Sequence, residues 1–243
     1  MKMRYFLTLS TVLLVAILMM PSISIAREER EYEAKQINNI KIDGNLNEWA
    51  EWVEPDIIIM NEVFGGVPPD DPDDFTGSVM VAWSDDDSSR IYFAVKITDS
   101  EFQDKGDNPW WTDSMEFIFD SNNDGGADQF TLGQDGSLTH ASANPDNSEW
   151  VVVNNGIEFT WEVAITPAPG FDAHVGDAIG LALSYNDSEN EVREHQIRWI
   201  AKENSWGAAV NQGELIFSAE IMKLAPVEPL GKAAVTWGGM KLR

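Results

Sequence analysis

RIYFAVKIT, residues 90–98, alternates apolar and polar side chains along its length. Such alternation is typical of a half-buried β-strand, because successive side chains point to opposite faces of a sheet. The pattern recurs in SMEFIFD at 114–120, IEFTWEVAI at 157–165 and AIGLALSYN at 178–186. The residues predicted to face inward are Ile91, Phe93, Val95, Ile97, Met115, Phe117, Phe119, Ile157, Phe159, Trp161, Val163, Ile165, Ile179, Leu181, Leu183 and Tyr185.

Turn-forming residues separate the alternating segments, as in DSNNDGGAD at 120–128 and PAPG at 167–170. No segment after residue 26 shows a long amphipathic helix. Many short strands joined by Gly, Pro, Asn and Asp turns predict an all-β fold, a jelly-roll-like antiparallel β-sandwich in a single domain. In the predicted register, Glu116 faces outward on an exposed sheet face. The other members of that outward face are Ser114, Ile118 and Asp120.

The first 26 residues have the layout of a cleavable secretory signal. Lys2 and Arg4 precede an apolar run that ends at Met20, and small residues follow up to Ala26. A membrane anchor is the alternative, but the apolar run is shorter than the ~20 residues that span a bilayer. The sequence therefore predicts cleavage after Ala26 and a protein that is secreted, periplasmic or held at the cell surface.

The chain is strongly acidic. Its formal net charge is −25, with 41 acidic and 16 basic residues, and loss of Lys2 and Arg4 with the signal makes the charge about −27. Such a surface repels nucleic acid and anionic lipid, whose binding requires clusters of Lys and Arg. There is no cysteine, so disulfides do not contribute to stability. Neutral ligands and cations remain as partners.

Catalytic motifs are missing from the sequence. Acidic pairs occur throughout the chain by composition alone, so they do not identify the general acid and base of a glycosidase. The histidines, His140, His174 and His195, lack metal-ligand spacing, and no GxSxG sequence occurs. An enzyme is therefore the third choice, after a binding module and a structural or interaction protein.

The segment DSNNDGGAD carries oxygen donors at alternate positions. Asp120, Asn122 and Asp124, followed by Gly125, match the opening of a calcium loop, and Asp128 can complete a shorter loop between two strands. The alternative is a polar hairpin turn without metal. Because carboxylates held close together repel one another, we expect a structural Ca²⁺ at these four oxygen donors. The weaker candidates are Asp70, Asp71, Asp73, Asp74, Asp85, Asp86 and Asp87.

WWTDSMEF, which starts at Trp110, places two tryptophans in a polar setting ahead of a strand. Exposed indoles beside carboxylates and amides suit a neutral sugar, because its C–H faces stack on flat rings and its hydroxyls take hydrogen bonds. Trp161 and Trp199 are predicted to be core residues, since each lies on the apolar side of an alternating strand. Trp110 and Trp111 are harder to bury together, and Trp206 lies in the polar loop KENSWGAA.

Six segments, read in order over about residues 37–217, resemble carbohydrate-binding module family 9. They are KIDGNLNEW, WSDDDSSRIYFAVKITDSEF, WWTDSMEFIFDSNNDGGADQF, FTWEVAITP, GDAIGLALSYND and WGAAVNQGELIF. The most specific pieces are the W-x-x-D-S-x-E string at 110–116 and GELIF at 213–217. The resemblance implies one module over 37–217, with an N-terminal segment at 27–36 before it and a last strand and tail at 218–243 after it.

A non-catalytic, calcium-containing β-sandwich is what this resemblance implies, with the reducing end of a glucan or xylan chain bound between two tryptophans. Trp110 matches one of them, and Glu116 matches the carboxylate that accepts hydrogen bonds from sugar hydroxyls. Trp206 is the candidate for the second platform, with Asn204 as a nearby amide. Trp111 completes the candidate carbohydrate-binding set; as the neighbour of Trp110 on an extended segment, it is expected to lean toward the protein.

Lys96 and Arg198 face outward in the predicted strand register and are further candidates to donate to sugar hydroxyls. Modules that resemble this one often accompany xylanases and other glycoside hydrolases, so a role in carbohydrate catabolism would come through association with another protein. The runner-up is a structural or interaction protein at the cell surface, in which the protein's own side chains partly fill the tryptophan sites.

Overall fold

The computed structural model describes residues 27, 30–49, 52, 56–65, 68–69, 74–86, 89–101, 103, 110–189, 192–200 and 202–224. The predicted signal at 1–26 and the tail from residue 225 onward lie outside the described residues, as do Asp70, Asp71, Asp73 and Asp87. Among the described residues, no helix has the length and apolar character needed to cross a membrane.

The described part of the chain is built of strands, with two short 3-10 helices at Leu46–Glu48 and Ala209–Asn211. The strands are β1 (Glu31–Gln36), β2 (Ile58–Met60), β3 (Glu62–Phe64), β4 (Phe75–Trp83), β5 (Ile91–Asp99), β6 (Ser114–Asp120), β7 (Asp128–Gly133), β8 (Leu138–Ala141), β9 (Asn144–Asn154), β10 (Glu158–Thr166), β11 (Ala178–Glu189), β12 (Val192–Arg198) and β13 (Gly213–Ile221). The prediction of an all-β fold is confirmed.

All of these strands belong to one sheet, whose main path runs β8, β7, β6, β11, β13, β1, β4, β5, β10, β9. Off this path, β12 pairs with β11 and β3, and β2 pairs with β4. The pairing is antiparallel except at β1, which runs parallel to both β13 and β4. The expectation of an antiparallel sheet is wrong for β1. This strand comes from the segment at 27–36 and lies between β13 and β4, and no hairpin turn joins it to either of them.

The main hydrophobic cluster joins strands from both ends of the sheet path, and a second, smaller cluster is formed by Ile37, Leu46, Trp49, Met80, Ala82, Ala94 and Met222. Phe93 of β5 and Phe117 of β6 have ring centroids 4.7 Å apart, and the ring of Phe75 on β4 lies 5.2 Å from that of Tyr185 on β11. These strands are not neighbours in the sheet, so the sheet curves back on itself to bring them together. Burial of these large aromatic side chains stabilises a fold that has no disulfides.

The residues predicted to face inward are buried, with one exception. Ile157 is 46% exposed, because β10 begins at Glu158 and Ile157 lies in the loop before it. Trp161 and Trp199 belong to the core, as the alternation predicts. The period-two pattern therefore gives the correct register for these four strands.

The prediction that the second face of β6 is exposed is wrong. The residues of this face, all buried, are Ser114, Glu116, Ile118 and Asp120. Other parts of the chain cover this face. Gln196 of β12 donates to a Glu116 oxygen at 2.9 Å, and Arg27 donates to an Asp120 oxygen at 2.9 Å. Glu116 therefore lies in a recess and not on an open sheet.

The KIDGNLNEW segment docks on a single carboxylate of β10. The main-chain N–H groups of Asp43 and Gly44 donate to Glu162 Oε2 at 2.8 and 2.7 Å, and Trp49 Nε1 donates to Glu162 Oε1 at 2.8 Å. Gly44 has φ +82°, a conformation that favours glycine. This tight turn fixes the segment against the outer side of the strand, which explains the spacing of its glycine and tryptophan.

Candidate functional site

Trp110, Trp206 and Glu116 line the same pocket, although Trp206 is far from the other two in sequence. The remaining lining residues are Gln129, Arg193 and Gln196. The pocket has a volume of about 260 Å³, close to the lower end of the range for small-molecule sites. Two indoles, a carboxylate, two carboxamides and a guanidinium therefore meet in one recess.

Strand pairing brings these side chains together. Glu116 on β6 pairs with Ser184 of β11, and β11 pairs in turn with β12, which supplies Arg193 and Gln196. Gln129 comes from β7 on the other side of β6, where Ile118 is its partner. The loop before β6 adds Trp110, and the loop after β12 adds Trp206.

Hydrogen bonds fix the carboxylate of Glu116. Its Oε1 accepts from Asn186 Nδ2 at 3.0 Å, and its Oε2 accepts from Gln196 Nε2 at 2.9 Å. Burial raises the pKa of Glu116 above its usual value, although the bond from Asn186 and the charges of Arg193 and Arg198 oppose that rise. The group is thus held in one orientation, with its remaining acceptor capacity directed to the pocket that it lines.

Trp110 and Trp206 each have a partner in the protein and a side on the pocket. The ring of Trp110 lies 5.2 Å from the ring of His140, at an interplanar angle of 60°. Trp206 is 44% exposed, and the guanidinium carbon of Arg198 lies 5.3 Å from the centroid of its ring. Neither indole is sealed into the core, so both leave surface for a ligand.

Two residues of the predicted carbohydrate-binding set lie elsewhere. Trp111 is 38% exposed and does not line the pocket, so the expectation that it leans toward the protein is wrong. It lies in a bend before β6, where the opposite-pointing geometry of an extended strand does not apply. Asn204 is exposed, has φ +62° and accepts from the N–H of Gly207 through its main-chain oxygen, so it shapes the loop that carries Trp206.

Lys96 and Arg198 do not line the pocket with the two tryptophans either. Arg198 is 1% exposed; its Nε donates to Gln196 Oε1 at 2.8 Å, and its guanidinium stacks over Phe64 at 3.9 Å. Lys96 is exposed, but its ammonium lies 3.7 Å from the ring centroid of Trp52, in a different groove. Arg198 therefore positions Gln196 and does not reach the pocket itself.

Gln129, Arg193 and Gln196 were not among the residues singled out from the sequence. Arg193 Nη1 donates to Asn186 Oδ1 at 3.0 Å, and Gln129 Nε2 donates to Thr131 Oγ1 at 3.2 Å. No motif marks these side chains, because they enter the pocket only through the pairing of β7 with β6 and of β12 with β11. In the sequence, the only feature that could identify these three residues is their polar character at positions that face the pocket.

Two acidic groups are candidates for a metal. In the 120–128 loop, Asp120 accepts from Arg27 and from the Asp124 N–H, while Asp124 accepts from Asn122 and Gly126. Burial, and then the charges of Asp124 and Asp120, raise the pKa of Asp128. The calcium site at Asp120, Asn122, Asp124 and Asp128 stays a prediction. Among the described residues, a second group with converging carboxylate oxygens consists of Asp99, Asp113 and Asp187.

Several solved structures share this fold, and two of them are sugar complexes. Both are carbohydrate-binding modules of family 9 from Caldicellulosiruptor kristjanssonii, one in complex with glucose and one with cellotriose. The glucose complex has a TM-score of 0.66 at 15% identity, over 79% of this chain and 97% of that one. The cellotriose complex has a TM-score of 0.66 at 14% identity, over 82% of this chain and 100% of that one. No curated protein matches the sequence significantly.

The family assignment rests on the sequence as well. The model of the family described as carbohydrate family 9 binding domain-like matches residues 42–219, which is most of the chain and nearly all of the predicted module. The resemblance drawn from the six sequence segments is thereby confirmed. This chain belongs to the carbohydrate family 9 binding domain-like family, a family of non-catalytic carbohydrate-binding modules.

Proposed function

We propose that this protein is a secreted, single-domain β-sandwich module that binds the end of a glucan or xylan chain between Trp110 and Trp206. The observation that carries the proposal is the meeting of these two indoles with Glu116 in one pocket of about 260 Å³. Flat indole surfaces stack on the C–H faces of a pyranose, and polar groups around them take its hydroxyls.

The polar groups of the pocket have complementary roles in this proposal. The carboxylate of Glu116 accepts hydrogen bonds from hydroxyls. Its orientation is already fixed by Asn186 and Gln196. The guanidinium of Arg193 and the carboxamide of Gln129 donate to sugar oxygens. A carboxylate that is prepositioned in a recess loses little entropy on binding, which favours affinity.

Family membership supports a binding role without hydrolysis, and the two structural relatives, which were solved with glucose and cellotriose, support a gluco-oligosaccharide as ligand. A place in carbohydrate catabolism would come through association with glycoside hydrolases. Calcium, as a structural ion, is part of the same proposal. The alternative, a cell-surface interaction protein without a sugar ligand, requires obstructed indoles, whereas Trp206 is 44% exposed.

Titration calorimetry with cellotriose and xylotriose tests the proposal. Trp110→Ala and Trp206→Ala each remove one stacking surface, worth about 1–3 kcal/mol, so affinity should fall about ten- to hundredfold. Trp111→Ala is the matched control, because Trp111 is a neighbouring, exposed indole outside the pocket. Circular dichroism confirms that each variant is folded.

Binding at a chain end has its own test. Reduction of cellotriose to its alditol opens the terminal ring, so a site for the reducing end should lose most of its affinity while the rest of the oligosaccharide is unchanged. Equal binding of cellotriose and its alditol would contradict binding at the reducing end. Absence of heat with every oligosaccharide in the folded wild type would favour the interaction protein.

A further inference from the structure

Arg198 is a buried cation beside the sugar pocket. It is 1% exposed, and no Asp or Glu within the described part of the chain forms an ion pair with it. Burial lowers the pKa of its guanidinium to about 10, so the group stays charged at neutral pH. A buried charge is unfavourable unless polar groups compensate it. The contacts that Arg198 makes therefore show what this charge contributes.

The N–H groups of Arg198 hold two parts of the chain that form the pocket. Nε donates to Gln196 Oε1 at 2.8 Å, and Nη2 donates to the same oxygen. Because Oε1 is occupied in this way, Nε2 of Gln196 is directed to Glu116, to which it donates at 2.9 Å. Nη1 donates to the main-chain oxygen of Lys202, in the loop that carries Trp206. One guanidinium thus fixes both the carboxylate and the loop of the second indole.

The flat face of the guanidinium contacts two aromatic rings. Its carbon lies 3.9 Å from the ring centroid of Phe64 and 5.3 Å from that of Trp206. Both distances are within the range of cation–π attraction, which is stronger for a cation removed from water. Phe64 ends β3, and its partner on β12 is Gln196. Strand β3 therefore supports the Trp206 platform through Arg198.

We propose that Arg198 is a positioning residue, which holds the Trp206 platform and the Glu116 carboxylate at a fixed separation so that both contact one pyranose ring. Arg198 itself does not line the pocket and does not touch the sugar. This inference rests on the proposed function and adds Arg198, with Phe64 beneath it, to the residues on which affinity depends. Lysine is a poor substitute, because an ammonium lacks the planar fork and the flat face of a guanidinium.

The charge of Arg198 also acts on Glu116. Burial raises the pKa of Glu116, and the charges of Arg193 and Arg198, both on β12, oppose that rise. Beyond the neighbouring strands, His140 lies on β8 next to Trp110, and Glu203 acts on Arg198 from the loop after β12. The strands that flank Glu116 face it with uncharged side chains, which are Ser184 and Asn186 of β11 and Gln129 and Thr131 of β7.

An NMR titration of Glu116 without sugar tests this action of the charge. The carboxyl signal of Glu116 is identified by its absence from Glu116→Gln. Arg198→Met removes the charge, so the pKa of Glu116 should rise further, whereas Arg198→Lys retains the charge and should leave it near the wild-type value. The same pKa in wild type and in Arg198→Met would overturn the action of Arg198 on Glu116, whether or not the protein binds sugar.

Cellotriose titration at neutral pH tests the positioning. Arg198→Lys should lower the affinity about tenfold, because the fork and the contact with both rings are lost. Phe64→Leu keeps the hydrogen bonds of Arg198 and should cause a smaller loss. Arg27→Lys is the matched control and should leave the affinity unchanged, because Arg27 is also a buried arginine but pairs with Asp120 outside the pocket.

The double variant of Trp206→Ala with Arg198→Lys separates positioning from a general loosening of the fold. If Arg198 acts through the platform, the double variant should lose less affinity than the product of the two single losses. A loss equal to that product, or wild-type affinity in Arg198→Lys, would overturn the inference. If the Arg198 variants do not fold, wild-type affinity in folded Phe64→Leu would overturn it. Wild type that binds no oligosaccharide would instead overturn the proposed function.

Discussion

The indole Nε1 of Trp49 donates to Glu162 Oε1 at 2.8 Å, and both side chains are buried. The other oxygen of Glu162 accepts from two main-chain N–H groups of the preceding turn. Glu162→Ala would leave the buried Trp49 Nε1 and the two part-buried main-chain N–H groups without their acceptor, so we expect a loss of about 2 kcal/mol in the free energy of unfolding. Urea denaturation measures it. Glu158→Ala, at the exposed start of β10, is the control; an equal loss there would contradict the role of Glu162.

The turn that Glu162 holds also depends on glycine. In Gly44→Ala the new Cβ would lie 2.7 Å from Val153 Cγ2 and 2.9 Å from Val151 Cγ1, at φ +82°. Gly156 has a similar φ of +91°, but nothing lies within 4 Å of its Cβ position. Both alanine variants should lose about 1 kcal/mol from the backbone, and Gly44→Ala should lose about 1–3 kcal/mol more from the clash. Thermal melts that show the same loss for both would contradict the clash.

Trp111→Ala should leave both folding and sugar binding nearly unchanged. The indole is 38% exposed and lies outside the pocket, so its removal should change the free energy of unfolding by less than about 0.5 kcal/mol. Chemical denaturation and cellotriose titration measure the two effects. A drop of several degrees in melting temperature would show that this indole packs into the core after all.

Sugar binding should weaken as the pH falls. Glu116 accepts hydrogen bonds from hydroxyls best as a carboxylate, and burial raises its pKa above the usual value. Affinity should therefore be constant above this raised pKa and should decline as the pH falls through it, because protonation removes an acceptor. Cellotriose titration across acidic pH values at which the protein stays folded measures the profile.

The control for this pH profile is Glu116→Gln. This variant should bind more weakly at neutral pH, since a neutral amide replaces the carboxylate, and it should lack the part of the decline that protonation of Glu116 causes. Other buried acids titrate in both proteins, so the difference between the two profiles belongs to Glu116. Parallel profiles for wild type and variant would exclude Glu116 as the titrating group.

Much of the fold follows from the alternation of apolar side chains. It gives the correct inward faces of β5, β6, β10 and β11, because each has one face in the common core. It fails at the second face of β6, since alternation says nothing about what later parts of the chain cover. Arg27 and Gln196, which contribute to that cover, lie far from β6 in the sequence, and no pattern fixes where they pack.

The candidate site was only partly predictable for a related reason. Trp110 and Glu116 are neighbours on one segment, and Trp206 is an indole in a polar loop, so residue type and local setting identify all three. Arg193 and Gln196 are ordinary polar residues on a strand, and they become part of the pocket through long-range pairing. Likewise, Asp99, Asp113 and Asp187 are single acids among 41, and only the closed sheet brings them together.

Strand β1 has a consequence for how the protein reaches its native state. Glu31 pairs with Glu214, and Lys35 pairs with Ala82, so the first strand lies between the last strand and the first half of the sheet. Whenever the chain folds, β1 stays incompletely paired until β13 has joined it. Contacts of such sequence separation form slowly. Closure of the sheet therefore has to wait for β13, and until then the edges of β1 and β4 are open to pairing with other chains.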